Sequence, residues 1–397
     1  MTTRIRPVLI ALALLAGGGQ TSLAGNADAI GDILASVTAD SLRATIAGLE
    51  GFGTRYWSDP NRRDIALWVL ARLQGAGVAD VVLDSFQISG TWQYNVVGTI
   101  RGDTNPEQEI ILGAHTDAYT GTPSQAPGAD DNASGTAAVV EIARVLCHSG
   151  YAPRATWRFV GFAAEEIGLR GSESYANRAY AAGTSISAML NFDMIGHRDA
   201  SSPVREFTLV WYQGARWLLE LDSAMARTYT TLVPVSSTVN ASRSDSYSFW
   251  MHGYPTIFHY ERGTNRAYHT VNDILDSLDV SYVAEITQTG LATALNVDAR
   301  VEPPPPPPLP VAITLSQNFP NPFNPATAIV FELPESRSVT LAVFDLLGRE
   351  AARVVDGWTE AGSHTVRFDA NRLASGVYLY RLSAGSTSLT RRMVVVR

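Results

Sequence analysis

The 397-residue chain is 46% hydrophobic with a net charge of −8, enough apolar content for more than one core and no electrostatic support for nucleic acid or an anionic membrane as partner. All 30 basic residues are arginine, which excludes Schiff-base lysines, Walker-type phosphate loops and Ser–Lys dyads. The single cysteine, Cys147, excludes an intrachain disulfide framework and a cysteine-based zinc cluster, and its stretch "TAAVVEIARVLC" reads it as a plain buried thiol.

In chain order, Arg4 and Arg6, the apolar "VLIALALLAGG" and "SLA" before Gly25 read as a secretory signal over residues 1–24. That apolar run is too short for a transmembrane helix, and no second candidate follows, so no transmembrane segment is expected in the mature form. Apolar spacing predicts a helix over "NRRDIALWVLARLQGAG", then strands "VVLDSFQI", "YNVVGTI" and "EIILGAH", the last almost wholly apolar and therefore central. "ASGTAAVVEIARVLCHSG" is a helix with Asn132 or Ser134 as its N-cap. Strand 156–163, helix 170–182, strands 186–192 and 206–212, helix 214–228, strand 255–260 and helix 280–297 complete the alternation. The expected fold class is α/β, a mostly parallel mixed sheet with helices on both faces over residues 25–300. "VEPPPPPPLP", residues 301–310, is a proline-rich spacer. Over 311–397, short runs such as "TAIVFELP", "HTVRFD" and "GVYLYRLSAG" predict a small all-β sandwich. Its only histidine is His364, and it offers no evident metal constellation.

Polar residues end several apolar strands of the first region. "IILGAHTD" ends in His115 and Asp117, "MLNFDMIG" carries Asp193, and "VGFAAEE" ends in Glu165 and Glu166. "PGADDNASG" sets Asp130 and Asp131 before a helix, and "AYHTVND" supplies His269. So many carboxylates at one sheet edge would repel one another without a cation. Asp, Glu and His together suit zinc, and two adjacent metals make a hydrolytic site. Three ligand carboxylates, two Zn²⁺ and a bridging hydroxide sum to neutrality, so the charge count favours two zincs per chain.

The ordered set "HTD", "GADDNASG", "AAEEIGLRGS", "NFDMIG" and "YHTVND" resembles the M28 family of zinc aminopeptidases over roughly residues 40–298. The resemblance implies that His115 and Asp193 bind one zinc, Glu166 and His269 the other, and that Asp131 bridges them. It also implies Glu165 as general base, passing the proton of the attacking water to the leaving amine. Tyr268 is a candidate oxyanion donor, as its counterpart is in some members. Asp117 and Asp273 are expected to orient imidazoles, and Asp130 to support its loop. Many relatives carry a histidine in an "SDH" motif where this chain has Ser246 in "SRSDSYSFW". His148, His197, His252 and His259 read as structural or surface residues, His259 being the one expected nearest the pocket, and loops 119–128 and 243–266 as its lining.

The tail segments "LSQNFPNPFNPATAIVFELP", "VFDLLGRE" and "LASGVYLYRLSAGS" resemble the C-terminal sorting domain of type IX secretion substrates, related to FlgD-like immunoglobulin folds. The expected protein is a secreted or cell-surface monomer. It acts on peptides or proteins with a free N-terminus and engages export machinery through its tail, with no nucleic acid partner. A glutaminyl cyclase of the same fold and a non-catalytic binding ectodomain are the alternatives. A serine hydrolase is disfavoured because no G-x-S-x-G elbow is present.

Overall fold

A computed structural model describes residues 23–198, 201–237, 241–302 and 310–396. The expected signal segment up to residue 22 and the proline run 303–308 lie outside the described residues. The chain divides into two units, Met1–Pro303 and Pro304–Arg397.

The first unit begins with helices α1 (Leu23–Leu34), α2 (Ala39–Glu50) and α3 (Arg62–Gly75). Strands β1 (Asp80–Ile88), β2 (Thr91–Ile100) and β3 (Asn105–His115) follow, then α4 (Gly135–His148), β4 (Ala155–Phe162), α5 (Arg170–Ala181) and β5 (Ser185–Phe192). The remainder is β6 (Glu206–Trp211), α6 (Arg216–Tyr229), β7 (Val233–Ser236), α7 (Ser246–Trp250), β8 (Thr256–Tyr260) and α8 (Val280–Asp298). The eight strands form one sheet in the order β1-β2-β4-β3-β5-β8-β6-β7. β4, β3, β5 and β8 run parallel at its centre, while β1, β2 and β6 pair antiparallel toward the edges.

Strand alternation distributes the core between two faces. Ile110, Leu112 and Ala114 of β3 join Leu42, Val69, Ile142 and Leu291 from α2, α3, α4 and α8. Ile111 points the other way, into a smaller cluster with Phe162, Met189, Ala176 of α5 and Phe249 of α7. Helices thus cover both faces, and β3 is buried along most of its length because it lies mid-sheet. The buried Asp298 ties the end of α8 to the start of β4, accepting from the amides of Arg154 and Ala155 (both 2.8 Å) and from Trp157 Nε1 (3.0 Å).

The second unit holds β9 (Thr314–Leu315), β10 (Ala326–Leu333), β11 (Arg337–Phe344), β12 (Glu350–Thr359), β13 (Gly362–Asp369), β14 (Gly376–Ala384) and β15 (Thr387–Val395). They form a three-stranded sheet, β13-β10-β9, and a four-stranded one, β12-β11-β14-β15. Alternate residues Ile329, Phe331 and Leu333 of the first meet Leu341, Val343, Tyr380 and Leu382 of the second in one apolar cluster. Among the described residues no helix is long and apolar enough to cross a membrane.

Candidate metal centre

Because the four central strands are parallel, their carboxyl ends share one edge, where ligands gather in such sheets. β3 ends at His115, and β5 ends at Phe192, beside Asp193. Past the end of β4 the chain is held by side chains from other segments. Ala163 donates its amide to Asn95 Oδ1 (2.9 Å), and the amides of Glu165 and Glu166 donate to the two oxygens of Asp117 (3.0 and 3.2 Å). Between β3 and α4 an irregular, kinked turn, Ala129–Ser134, carries Asp131 in a non-helical conformation. Gly128 precedes it at φ +55°, where a Cβ would stand 2.3 Å from the Asp131 carbonyl oxygen, so only glycine fits. His269 lies in the loop after β8. Ala164, Met194 and His269, all at this edge, take positive φ (58°, 53° and 57°), a local cost tolerated where surrounding bonds fix the chain.

Two groups of ligand atoms result. His115 Nε2 lies 3.3 Å from both Asp131 Oδ1 and Asp193 Oδ1. His269 Nε2 lies 3.1 Å from both Asp131 Oδ2 and Glu166 Oε2. The two oxygens of Asp131 therefore face different imidazoles. In each group one ligand atom per residue falls within 4.8 Å of the others, a spacing a metal ion can span. Glu166 Oε1 is buried without a hydrogen-bond partner among the described residues, as a donor reserved for a cation would be. A nitrogen and oxygen donor set of this kind fits zinc.

A buried guanidinium lies behind the cluster. Arg55 is 1% exposed and donates to the carbonyls of Thr116 (2.9 Å), Pro127 and Gly128 (2.7 Å). It thereby ties the segment after His115 to the segment before Asp131, and burial lowers its guanidinium to about 10. For the protein residues alone, protons share the cluster. Burial, then the Asp131 charge, pushes Glu166 up to about 7, and burial holds Glu165 well above its ordinary value. Burial works against charge on His269, yet hydrogen bonds to Asp131 and Glu166 outweigh it and raise the imidazole to about 10. Asp131 is also opposed by burial, but the two imidazoles hold it far below the usual carboxylate range.

Other expected residues take different positions. Asp117 does orient His115, its main-chain carbonyl 3.1 Å and its Oδ1 3.7 Å from Nδ1, and its carboxylate holds the glutamate amides as well. The Asp273 carboxylate, by contrast, does not bond His269 among the described residues; it accepts from the amides of Asp130 (2.8 Å) and Asp131 (3.0 Å). Asp130 supports its loop, accepting from Gly196 N (2.8 Å) and Asn265 Nδ2 (2.7 Å). At the start of α4, Asn132 Oδ1 accepts from Gly135 N (2.8 Å), so Asn132 caps the helix. Tyr268 stacks on His269, with ring centroids 3.8 Å apart, and lines a cavity of about 560 Å³ beside the cluster. His259 does not line it. Alternation along β8 turns Phe258 and Tyr260 to the cavity and His259 into the core, 2.7 Å from the buried Asp222. None of loop 119–128 lines this cavity; Ser242 and Arg243 do. His148 and His252 bond Arg144 O and Asn177 Oδ1 (both 2.7 Å) near the surface. Cys147 is free and half-buried rather than enclosed, because α4 turns its last residues outward.

Three supporting residues carry no motif. Ser244 Oγ donates to Asp193 Oδ2 (2.6 Å). Ser246, in the place of the usual histidine, meets the Tyr212 hydroxyl at 2.8 Å. Asp245 is fully buried with no hydrogen-bond partner for either oxygen among the described residues, and burial raises it to about 7. All three are consecutive and fully buried, so no periodicity in "SRSDSYSFW" marks them.

A parallel-centred sheet whose strand ends converge imidazoles and carboxylates on one edge has the build of a metal-dependent hydrolase. Residues 95–294 match the model of peptidase family M28, and the chain belongs to that family. It is thus an enzyme, a metallopeptidase. Residues 317–396 match a secretion system C-terminal sorting domain. A "Probable leucine aminopeptidase" of Trichophyton verrucosum is 30% identical over 274 residues, 66% of this chain and 71% of the relative. A "Probable zinc metalloprotease" of Pyrenophora tritici-repentis is 34% identical over 193 residues, 43% and 44% of the two chains. The crystal structure of Legionella pneumophila LapA aminopeptidase shares the fold, with a TM-score of 0.62 and 23% identity over 73% of this chain and 79% of that one.

Proposed function

We propose that this chain is an exported dizinc aminopeptidase that removes N-terminal residues from peptides. The observation that carries the reading is Asp131, whose two oxygens face two different imidazoles, the disposition of a bridging carboxylate. His115 and Asp193 would hold one zinc, Glu166 and His269 the other, and Asp131 both. Bound zinc supplies Lewis acidity toward the scissile carbonyl and lowers the pKa of water.

The chain's own residues do the rest. Glu165, 8% exposed and with a raised proton affinity, takes a proton from the attacking water and hands it to the leaving amine. Burial and the neighbouring carboxylates raise the Tyr268 phenol well above its ordinary value, so it keeps its proton and can donate to the developing oxyanion. Met194, Val210 and Phe258 give the cavity apolar wall for a side chain, in keeping with the leucine aminopeptidase names of its relatives. The sorting domain and the signal-like N-terminus support delivery outside the cell or to its surface.

Aminoacyl p-nitroanilides and peptides, assayed with chelator and after zinc is added back, test this reading. Hydrolysis should stop on metal removal and return with about two zincs per chain. Unchanged release of free amino acids from fully metal-free protein would end it.

A further inference from the structure

The cavity beside the metal cluster has two kinds of lining beyond the proposed ligands. Met194, Val210 and Phe258 are apolar, whereas Ser242, Arg243 and Tyr260 are polar. Arg243 is the one lining residue with a permanent positive charge. Four carboxylates, those of Asp131, Glu165, Glu166 and Asp193, line the same space. Yet none of the ion pairs or hydrogen bonds found among the described residues includes Arg243.

The backbone that carries Arg243 is fixed. Its neighbour Ser244 donates to Asp193 Oδ2 (2.6 Å) and accepts from Asn191 Nδ2 (2.5 Å). Two residues before it, the Ala241 carbonyl accepts from the Tyr212 hydroxyl (2.8 Å). The exposed guanidinium is thus delivered to the cavity on an anchored segment with its hydrogen-bonding fork unused. That fork matches a carboxylate in shape and charge. A substrate anion entering among four carboxylates meets no other side chain of permanent positive charge in the lining.

We infer that Arg243 receives a carboxylate of the substrate while the scissile bond is presented to the metal cluster. Two sources have that chemistry, the side chain of an acidic N-terminal residue and the C-terminal carboxylate of a short peptide. The inference rests on the aminopeptidase reading and narrows its substrates to peptides carrying an anion near the cleaved end.

The test uses the full zinc-loaded chain and two matched pairs. Leucyl-leucine is compared with leucyl-leucinamide, and glutamyl p-nitroanilide with glutaminyl p-nitroanilide. The wild-type protein should favour the carboxylate member of at least one pair in kcat/KM. Arg243→Gln should cut that preference roughly tenfold, the low end for a charge-assisted bond at a solvent-facing site. Arg243→Lys should restore part of it. A fall in the dipeptide pair assigns the C-terminal carboxylate, and a fall in the anilide pair the acidic side chain. Should the variants fail to fold, the wild-type preference must still shrink with added salt. No preference in the wild type, an unchanged ratio in Arg243→Gln or a salt-independent ratio each overturn the inference. If zinc-loaded wild type cleaves none of the four substrates, the aminopeptidase reading fails instead.

Discussion

The two ligand groups share Asp131 but are built differently. His115 and Asp193 stand at the ends of central strands, 1% and 6% exposed, so the sheet itself sets their positions. His269 stands on a loop at φ +57° with its side chain 29% exposed. It is bracketed by Tyr268 at 3.8 Å and Tyr119 at 4.9 Å. Glu166 lies past the end of β4 and depends on Asp117 for its backbone position. Strand ends fix a ligand's backbone through the sheet ladder, whereas loop ligands need backbone supports from other segments. The group containing His269 should therefore release its ion first.

Adjacent residues offer the largest test, since Glu165 approaches His115 at 3.9 Å while Glu166 belongs to the outer group. Glu165→Gln should keep both zincs and lose on the order of 10²–10⁴ in kcat, the range for a positioned acid–base group. Glu166→Gln should lose one zinc readily and regain part of its activity in excess zinc. Turnover and zinc stoichiometry measured on both variants decide; metal loss from the first and retention by the second would reverse the two roles.

The next effect compares the imidazoles. His269→Ala should retain one tightly held zinc and weaken the second by more than the roughly 10–100-fold caused by losing a ligand's supporting hydrogen bond. His115→Ala, at a fully buried site, should lower thermal stability as well. Loss of both ions together in His269→Ala would show that Asp131 makes the groups one unit and erase the distinction.

The smallest effect concerns the buried Asp245, which feels the charges of His115 and Asp193. Burial raises its carboxyl from 3.8 to about 7, so ionisation is disfavoured in the folded state. The resulting cost is absent below about pH 3.8, grows as pH rises and is complete above about 7. In metal-free protein, Asp245→Asn should therefore leave the melting temperature unchanged at pH 3.5 and raise it at pH 8, by a few kcal/mol of stability. A variant equally stable or less stable at pH 8 would mean that the carboxylate is satisfied where it stands.

The first unit was largely legible because its strands and helices are long and strongly periodic, from β3 to α8. The short β7 and α7 lack the length for a period to register. The residues of the cluster could be listed from strand ends and glycine-rich turns, but their supports could not. Asp117 meets the nearby His115 as its sequence position suggests, but Asp273 reads as a partner of His269 only because sequence displays local neighbours; both carboxylates hold amides far along the chain. Arg55 carries no motif, and its importance lies wholly in the carbonyls it meets. His259 was placed toward the pocket because a histidine attracts functional readings; the alternation of β8 sends it to the core. In the tail, β12 carries little sequence signal because "EAARVVDGWT" has no fully buried residue and alternates weakly.

Asp117 and Asp273 also bear on when the site comes into being. Asp117 reaches Glu165 and Glu166 across 48 and 49 residues of chain, and Asp273 reaches Asp130 and Asp131 across 143 and 142. Closures of that span form only as the whole sheet assembles. A chain whose sheet has not yet formed therefore offers its imidazoles and carboxylates singly, as weak and separate donors. Tight metal binding and tertiary structure therefore arrive together.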